Sequence, residues 1–223
     1  MFNRLMAPAL LAAAVLGSAP SAAVIVTSVA GAPDPGISSP FTMVATFDSP
    51  TSAGIVQSFT GAAIIAAGST RGVRAAPAGS LPTNVYLSLG ANSSATFDFA
   101  GYVPTNRKLS GISLYWGSID NFNFVDFLRA DGSLIQTVGG SQLPQFNGDQ
   151  TLGATNRRVN FAFNSLESVS KVRLRSTTSA AFELDSIAAS IGPIPEPGTW
   201  AMMIVGFGLV GAAARRRNAA LAA

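Results

Sequence analysis

The chain has 223 residues, of which only 11% are charged, and it contains neither cysteine nor histidine. Those absences exclude disulfides, thiolate chemistry, a cysteine-borne lipid anchor, the Ser-His-Asp triad and the usual zinc sites. The net charge of +3 sits at the ends, in Arg4 and Arg215 to Arg217 offset by Glu196, while ten basic and ten acidic residues between Val24 and Ile194 cancel; a neutral body has no electrostatic footing for nucleic acid.

Three zones open the chain. Met1 to Arg4 is short and positive, Leu5 to Leu16 is unbroken and apolar, and Gly17 to Ala23 is small and Pro-containing. This order predicts a signal peptide over residues 1–23, cut by signal peptidase between Ala23 and Val24. Twelve apolar residues interrupted by Pro8 span too little bilayer to stay as an anchor.

Residues 24–192 read as strands divided by turn residues. Val24–Val29, Thr42–Phe47, Ile55–Phe59, Asn84–Leu89, Ala95–Phe99, Leu109–Trp116, Phe122–Arg129, Ser133–Val138, Arg157–Phe163, Val169–Ser176 and Ala181–Ser190 are rich in Val, Ile, Phe and Thr. In Ala95–Phe99, Phe97 and Phe99 oppose Thr96 and Asp98; in Val169–Ser176, Val172 and Leu174 oppose Lys171, Arg173 and Arg175. One apolar and one solvated face marks an antiparallel sheet. Asp131-Gly132 between two such runs is a hairpin signal. Ile64-Ile65, between Gly61 and Gly68, fits a buried strand as well as a helix. The expectation is an all-β antiparallel sandwich of jelly-roll type, with Pro33–Gly36 and Ala75–Pro82 as exposed loops.

Several groups in the body carry candidate chemistry. Tyr115, Trp116 and Phe122 are candidates for a glycan contact, rings on which sugars stack; the competing reading places Trp116 in the core. The segment Phe182 to Ala188 resembles the closing strand of carbohydrate-binding jelly rolls, where acidic residues belong to a calcium site or a hydrogen-bond network. Glu183 and Asp185, with Asp48, are therefore the weak calcium candidates, although calcium needs six to eight oxygens and no run has EF-hand spacing. No other cofactor is expected. Glu167, in an Asn-Ser-Leu-Glu-Ser turn, reads as solvated, and with Glu183 the only other glutamate of the body no carboxylate pair stands out for glycoside hydrolysis. Arg157-Arg158 and Lys171/Arg173/Arg175 are the basic stripe, able to meet acidic polysaccharide or simply to solvate a strand face.

The last thirty residues are the most specific. Pro195-Glu196-Pro197 is followed by Trp200, then by Ala201 to Ala214 without a charge, then by Arg215-Arg216-Arg217. The run has no polar face, so it is not shaped to pack on a soluble core. As a helix, Trp200 to Ala214 reaches about 22 Å, short of a hydrocarbon core of roughly 30 Å, and suits a transient transmembrane stop with Trp200 at the interface and the arginines cytoplasmic.

This stretch resembles the PEP-CTERM sorting signal. The resemblance implies recognition of Pro195, Glu196 and Pro197 by an exosortase, a membrane-embedded cysteine protease or transpeptidase of bacteria that make exopolysaccharide, with the helix and the arginines a removable stop-transfer. It assigns 193–218 to the sorting signal and 219–223 to a short tail. The block from Leu114 through Asp126 is similar to one recurring in the bodies of exosortase-sorted surface proteins. Together these imply a non-catalytic surface or matrix protein with exopolysaccharide as its partner, a lectin-like module being the alternative and a polysaccharide hydrolase the more remote one.

Overall fold

The computed structural model describes residues 24–164, 167–194 and 197–221. The signal peptide expected over 1–23 lies outside them, as do Pro195 and Glu196. Twelve strands precede one helix: β1 (Ile25–Ala30), β2 (Thr42–Ala45), β3 (Val56–Thr60), β4 (Ala63–Ala67), β5 (Val85–Leu89), β6 (Ser93–Asp98), β7 (Arg107–Gly117), β8 (Asn123–Leu128), β9 (Leu134–Gly139), β10 (Arg157–Ala162), β11 (Lys171–Ser176), β12 (Phe182–Pro193) and α1 (Pro197–Leu221).

The strands form two antiparallel sheets. The seven-stranded sheet runs β1-β10-β7-β12-β5-β4, with β2 paired onto β12, and the five-stranded sheet runs β3-β6-β11-β8-β9. From β5 onward the chain crosses between them, and the orders β10-β7-β12-β5 and β6-β11-β8-β9 are the two halves of a jelly roll. The expected sandwich is thus present, with β1, β3 and β4 widening it. The predicted hairpin joins β8 to β9: Gly132 takes φ +87° and Asp131 Oδ1 accepts the Ser133 N–H at 2.9 Å.

Alternation puts the apolar face of each strand inward. Val125 and Phe127 of β8 and Val172 and Leu174 of β11 meet Leu114 of β7 and Val159 and Phe161 of β10 in one core. Phe127 spans the sheets, its ring 5.0 Å from Phe161 and 5.1 Å from Phe163. Each such ring contributes about 1.5–3 kcal/mol by leaving water. Val24 is already buried in this core, and its N–H donates to Gln136 Oε1 at 2.8 Å.

Three expectations change. β4 is a strand, but an edge strand whose Ile64 and Ile65 are exposed, because nothing pairs beyond it. The loops after β1 and β4 lie as a roof on the outer face of the seven-stranded sheet: Ala75 and Pro77 are buried there and Asp34 is half-buried, while Pro33, Pro35 and Gly36 are exposed as expected. Glu167 is buried, not solvated, with its Oε2 accepting the Asn164 N–H at 2.9 Å.

The 25-residue α1 covers about 37 Å. Its described side chains from Ala201 to Ala213 are all exposed, Met202 at 73% and Phe207 at 71%. Yet among the described residues no helix is long and apolar enough to cross a membrane. The transmembrane expectation is therefore unsupported at this level: Gly206, Gly208, Gly211 and the alanines dilute the hydropathy, and three arginines follow at once.

Candidate functional site

The outer faces of the two sheets hold the polar side chains of the body. On the seven-stranded sheet, Tyr115 of β7, Arg158 of β10 and Ser186 of β12 lie side by side in register. The loop after β1 brings Asp34 onto Arg158: Arg158 Nε donates to Asp34 Oδ1 at 3.0 Å, Nη2 also donates to Asp34 Oδ2, and Nη2 donates to Ser186 Oγ at 2.8 Å. The guanidinium lies 5.6 Å from the centre of the Tyr115 ring. The Tyr115 hydroxyl donates to the carbonyls of Gly31 at 2.9 Å and Ala78 at 3.1 Å, one from each roof loop. Burial pushes the Tyr115 phenol well above its ordinary pKa, so it stays a donor.

Farther along β12, Glu183 fastens the second roof loop. Its Oε1 accepts the Ala75 N–H at 3.1 Å and its Oε2 meets the Ser118 hydroxyl at 3.3 Å. Burial pushes its carboxyl up to about 8, against the lowering effect of those two bonds, so it is mainly protonated at neutral pH. Burial likewise raises Asp120 to about 6, and burial followed by repulsion from Asp48 and Asp34 raises Asp185 to about 6. Glu183 borders a polar cavity of about 510 Å3 with Arg71, Arg74 and Gln150.

Among the described residues no loop roofs the outer face of the five-stranded sheet. Asp126 of β8 is 1% exposed and lies beneath Arg173 and Arg175 of β11, which are 40% and 31% exposed. Its Oδ2 accepts from Arg173 Nε at 2.9 Å and Nη2 at 2.7 Å and from Arg175 Nε at 2.8 Å, while Thr137 donates to Oδ1 at 2.7 Å. Burial alone would raise the Asp126 pKa; hydrogen bonds from Arg175, Thr137 and Arg173 outweigh it and hold the carboxyl below its ordinary value. The Arg175 guanidinium stacks 4.4 Å over the Phe124 ring. Beside the pair opens a depression of about 430 Å3, bordered by Asn92, Ser94 and Thr177.

The residues singled out in the sequence are redistributed by this arrangement. Trp116 faces the core, stacked on Phe182 at 4.5 Å and 10°. Tyr115 is buried under the roof loops, and Phe122 is only half-buried, so the three rings do not form an exposed sugar platform. Arg157 and Arg158 are buried and leave the basic stripe to β11. Glu183, Asp185 and Asp48 are not drawn into a calcium cage: Asp48 Oδ1 accepts the Val85 N–H at 2.7 Å, and among the described residues no three His, Cys, Asp or Glu are grouped to hold a metal ion. Asp126, the hub of the exposed arginines, is marked in the sequence only as the end of the block that starts at Leu114, with nothing to point to its arginine partners.

The second functional region is the tail. β12 ends at Pro193 and α1 starts at Pro197, the last residue of the Pro-Glu-Pro, while Pro195 and Glu196 lie outside the described residues. In the helix, Arg215 and Arg217 are exposed.

The described residues thus form a jelly-roll body followed by a separate C-terminal helix. Residues 193–217 match the family model described as the PEP-CTERM protein-sorting motif. The chain therefore carries a PEP-CTERM sorting segment at its C-terminal end, which supports an exported protein sorted by exosortase. No curated protein matches it. Among solved structures it is similar to the enzymatically active domain of tailspike protein 4 of bacteriophage CBA120, at 12% identity and a TM-score of 0.29, over 64% of this chain and 20% of that one. The chain thus spans about a fifth of that protein's length, and a likeness of this degree carries no argument.

Proposed function

We propose that the protein is a non-catalytic constituent of the cell surface or extracellular matrix, with a structural or adhesive role among exopolysaccharide. The observation that carries this reading is the sorting motif on 193–217, which begins where the last strand of the sandwich ends. Signal peptidase cuts between Ala23 and Val24, and Val24, the first residue beyond that cut, is buried in the sandwich core. Exosortase then recognises Pro195, Glu196 and Pro197, with the apolar helix as a transient stop and Arg215, Arg216 and Arg217 retained inside. In keeping with a non-catalytic body, its glutamates Glu167 and Glu183 are both buried and each accepts a backbone N–H.

Intact mass of the protein recovered from the surface or medium of its host tests this reading. The expected mass lacks Met1 to Ala23 and everything after Pro197, and any surplus identifies an attached group. A mass that retains Trp200 to Arg217 means a plain membrane anchor and overturns it.

A further inference from the structure

The bare face of the five-stranded sheet carries an arrangement that the sorting function does not use. Strand register lines up Ser58, Thr96, Arg173, Asp126 and Thr137 in one row across all five strands. The next row on the same face holds Thr60, Ser94, Arg175 and Phe124. At a strand spacing of about 4.8 Å, the first row extends roughly 19 Å and the second roughly 14 Å. Hydroxyls lie on both sides of Arg173 in the first row and on one side of Arg175 in the second, and the two guanidiniums are two residues apart on one strand.

The charge on this face does not cancel. Arg173 and Arg175 supply two positive charges against the single negative charge of Asp126, which leaves one in excess; Lys171 and Asp98, 3.3 Å apart, balance each other. Asp126 occupies Nε and Nη2 of each arginine, at 3.4 Å for Arg175 Nη2, and among the described residues no group accepts from Nη1 of either. The forks are held in place by Asp126 below and, for Arg175, by the Phe124 ring, so little side-chain freedom remains to be lost on binding. A planar carboxylate is the natural acceptor for such donors, and ring hydroxyls are the natural partners of Ser and Thr.

We infer that the outer face of the five-stranded sheet binds a carboxylate-bearing polysaccharide, with Arg173 and Arg175 on the acid groups and the hydroxyls of Ser94, Thr96 and neighbouring strands on the sugar rings. This rests on the polysaccharide-associated reading above and names the class of chain and the surface that meets it. The depression beside Arg173 and Arg175 is open to solvent and the two rows run on across the sheet, so affinity comes from repetition along the polymer, and the occupant is a chain of acidic sugars rather than a monosaccharide.

Affinity electrophoresis of the protein as recovered from its host tests this, with polygalacturonate in the gel and, in parallel, the same polymer with its carboxyls reduced. Retardation by polygalacturonate and none by the reduced polymer is expected. Arg173→Ala and Arg175→Ala should each weaken retardation about tenfold, the loss of one charge-assisted contact, while Arg71→Ala, an exposed arginine elsewhere, leaves it unchanged. An unchanged thermal midpoint in each variant separates lost binding from lost fold. Equal retardation by both polymers, equal retardation of all variants, or no retardation overturns the inference. The mass measurement is independent of it, so a correctly sorted protein that binds neither polymer removes this surface and leaves the delivery reading standing.

Discussion

The two sheets present the same kind of side chain to the outside and treat it in opposite ways. On the seven-stranded sheet, Arg158, Tyr115 and Glu183 are roofed by the loops around Asp34 and Ala75, and every one of them bonds to a roof. On the five-stranded sheet, Arg173 and Arg175 bond only downward, to Asp126, and keep one edge in water. A buried charge must be matched within the protein or it costs several kcal/mol; an exposed one has water as an alternative partner. The first face is therefore committed to holding loops in place, and the second is free to exchange water for a ligand.

The most damaging way to break this contrast is to open the roof. Asp34→Ala leaves the Arg158 guanidinium buried with only Ser186 for a partner, and it should cost about 3 kcal/mol, read as a lower urea midpoint. Arg158 Nη1 already lacks a partner, which leaves no spare contact to absorb the loss. An unchanged midpoint would mean that water reaches Arg158 and that the roof is not closed.

A smaller effect is expected along the pH axis. Glu183 has an ordinary carboxyl pKa of 4.5 and is held at about 8 in the fold. Between those values the unfolded chain is ionised while the folded one keeps its proton, so the stability from this group is complete below pH 4.5 and is lost as pH rises through 8, on the order of 1 kcal/mol per pH unit. Asp120 and Asp185, raised to about 6, act in the same direction up to that pH. Above pH 6 the slope belongs mainly to Glu183. Gln at this position can accept the Ala75 N–H and donate to Ser118, so Glu183→Gln should flatten stability between pH 6 and 8 with little effect at pH 4. A slope retained in the variant would assign the titration elsewhere.

What was legible in the sequence follows the same division. The alternation of Phe97 and Phe99 with Thr96 and Asp98, and of Val172 and Leu174 with the basic residues of β11, is contained in single strands, as is the Asp131-Gly132 turn. The sorting motif occupies one contiguous stretch of 25 residues, 193–217. The roof is different. Arg158 and Asp34 are 124 positions apart, and Ala75 and Glu183 are 108 apart, so nothing local distinguishes a roofed polar residue from a solvated one. That is why Arg158 reads like Arg173 in the sequence, why Tyr115 reads as a sugar platform, and why Glu183 reads as a metal ligand. Long-range cover decides each of these, and periodicity does not report it.

The least costly substitution is also the one that tests the comparison most directly. Arg173→Ala removes a side chain of nominally the same kind as Arg158, on a β-strand of the same sandwich. Asp126 then retains Arg175 and Thr137, and water fills the space left on the open face. The expected change in the urea midpoint corresponds to less than about 1 kcal/mol, the range of exposed ion pairs, and it should shrink further in high salt. Asp34→Ala should show no such salt dependence, because its surviving charge is out of reach of ions. If Arg173→Ala instead costs as much as opening the roof, then the arginines of β11 are structural fasteners for Asp126, and the open face has no surplus charge to offer a polysaccharide.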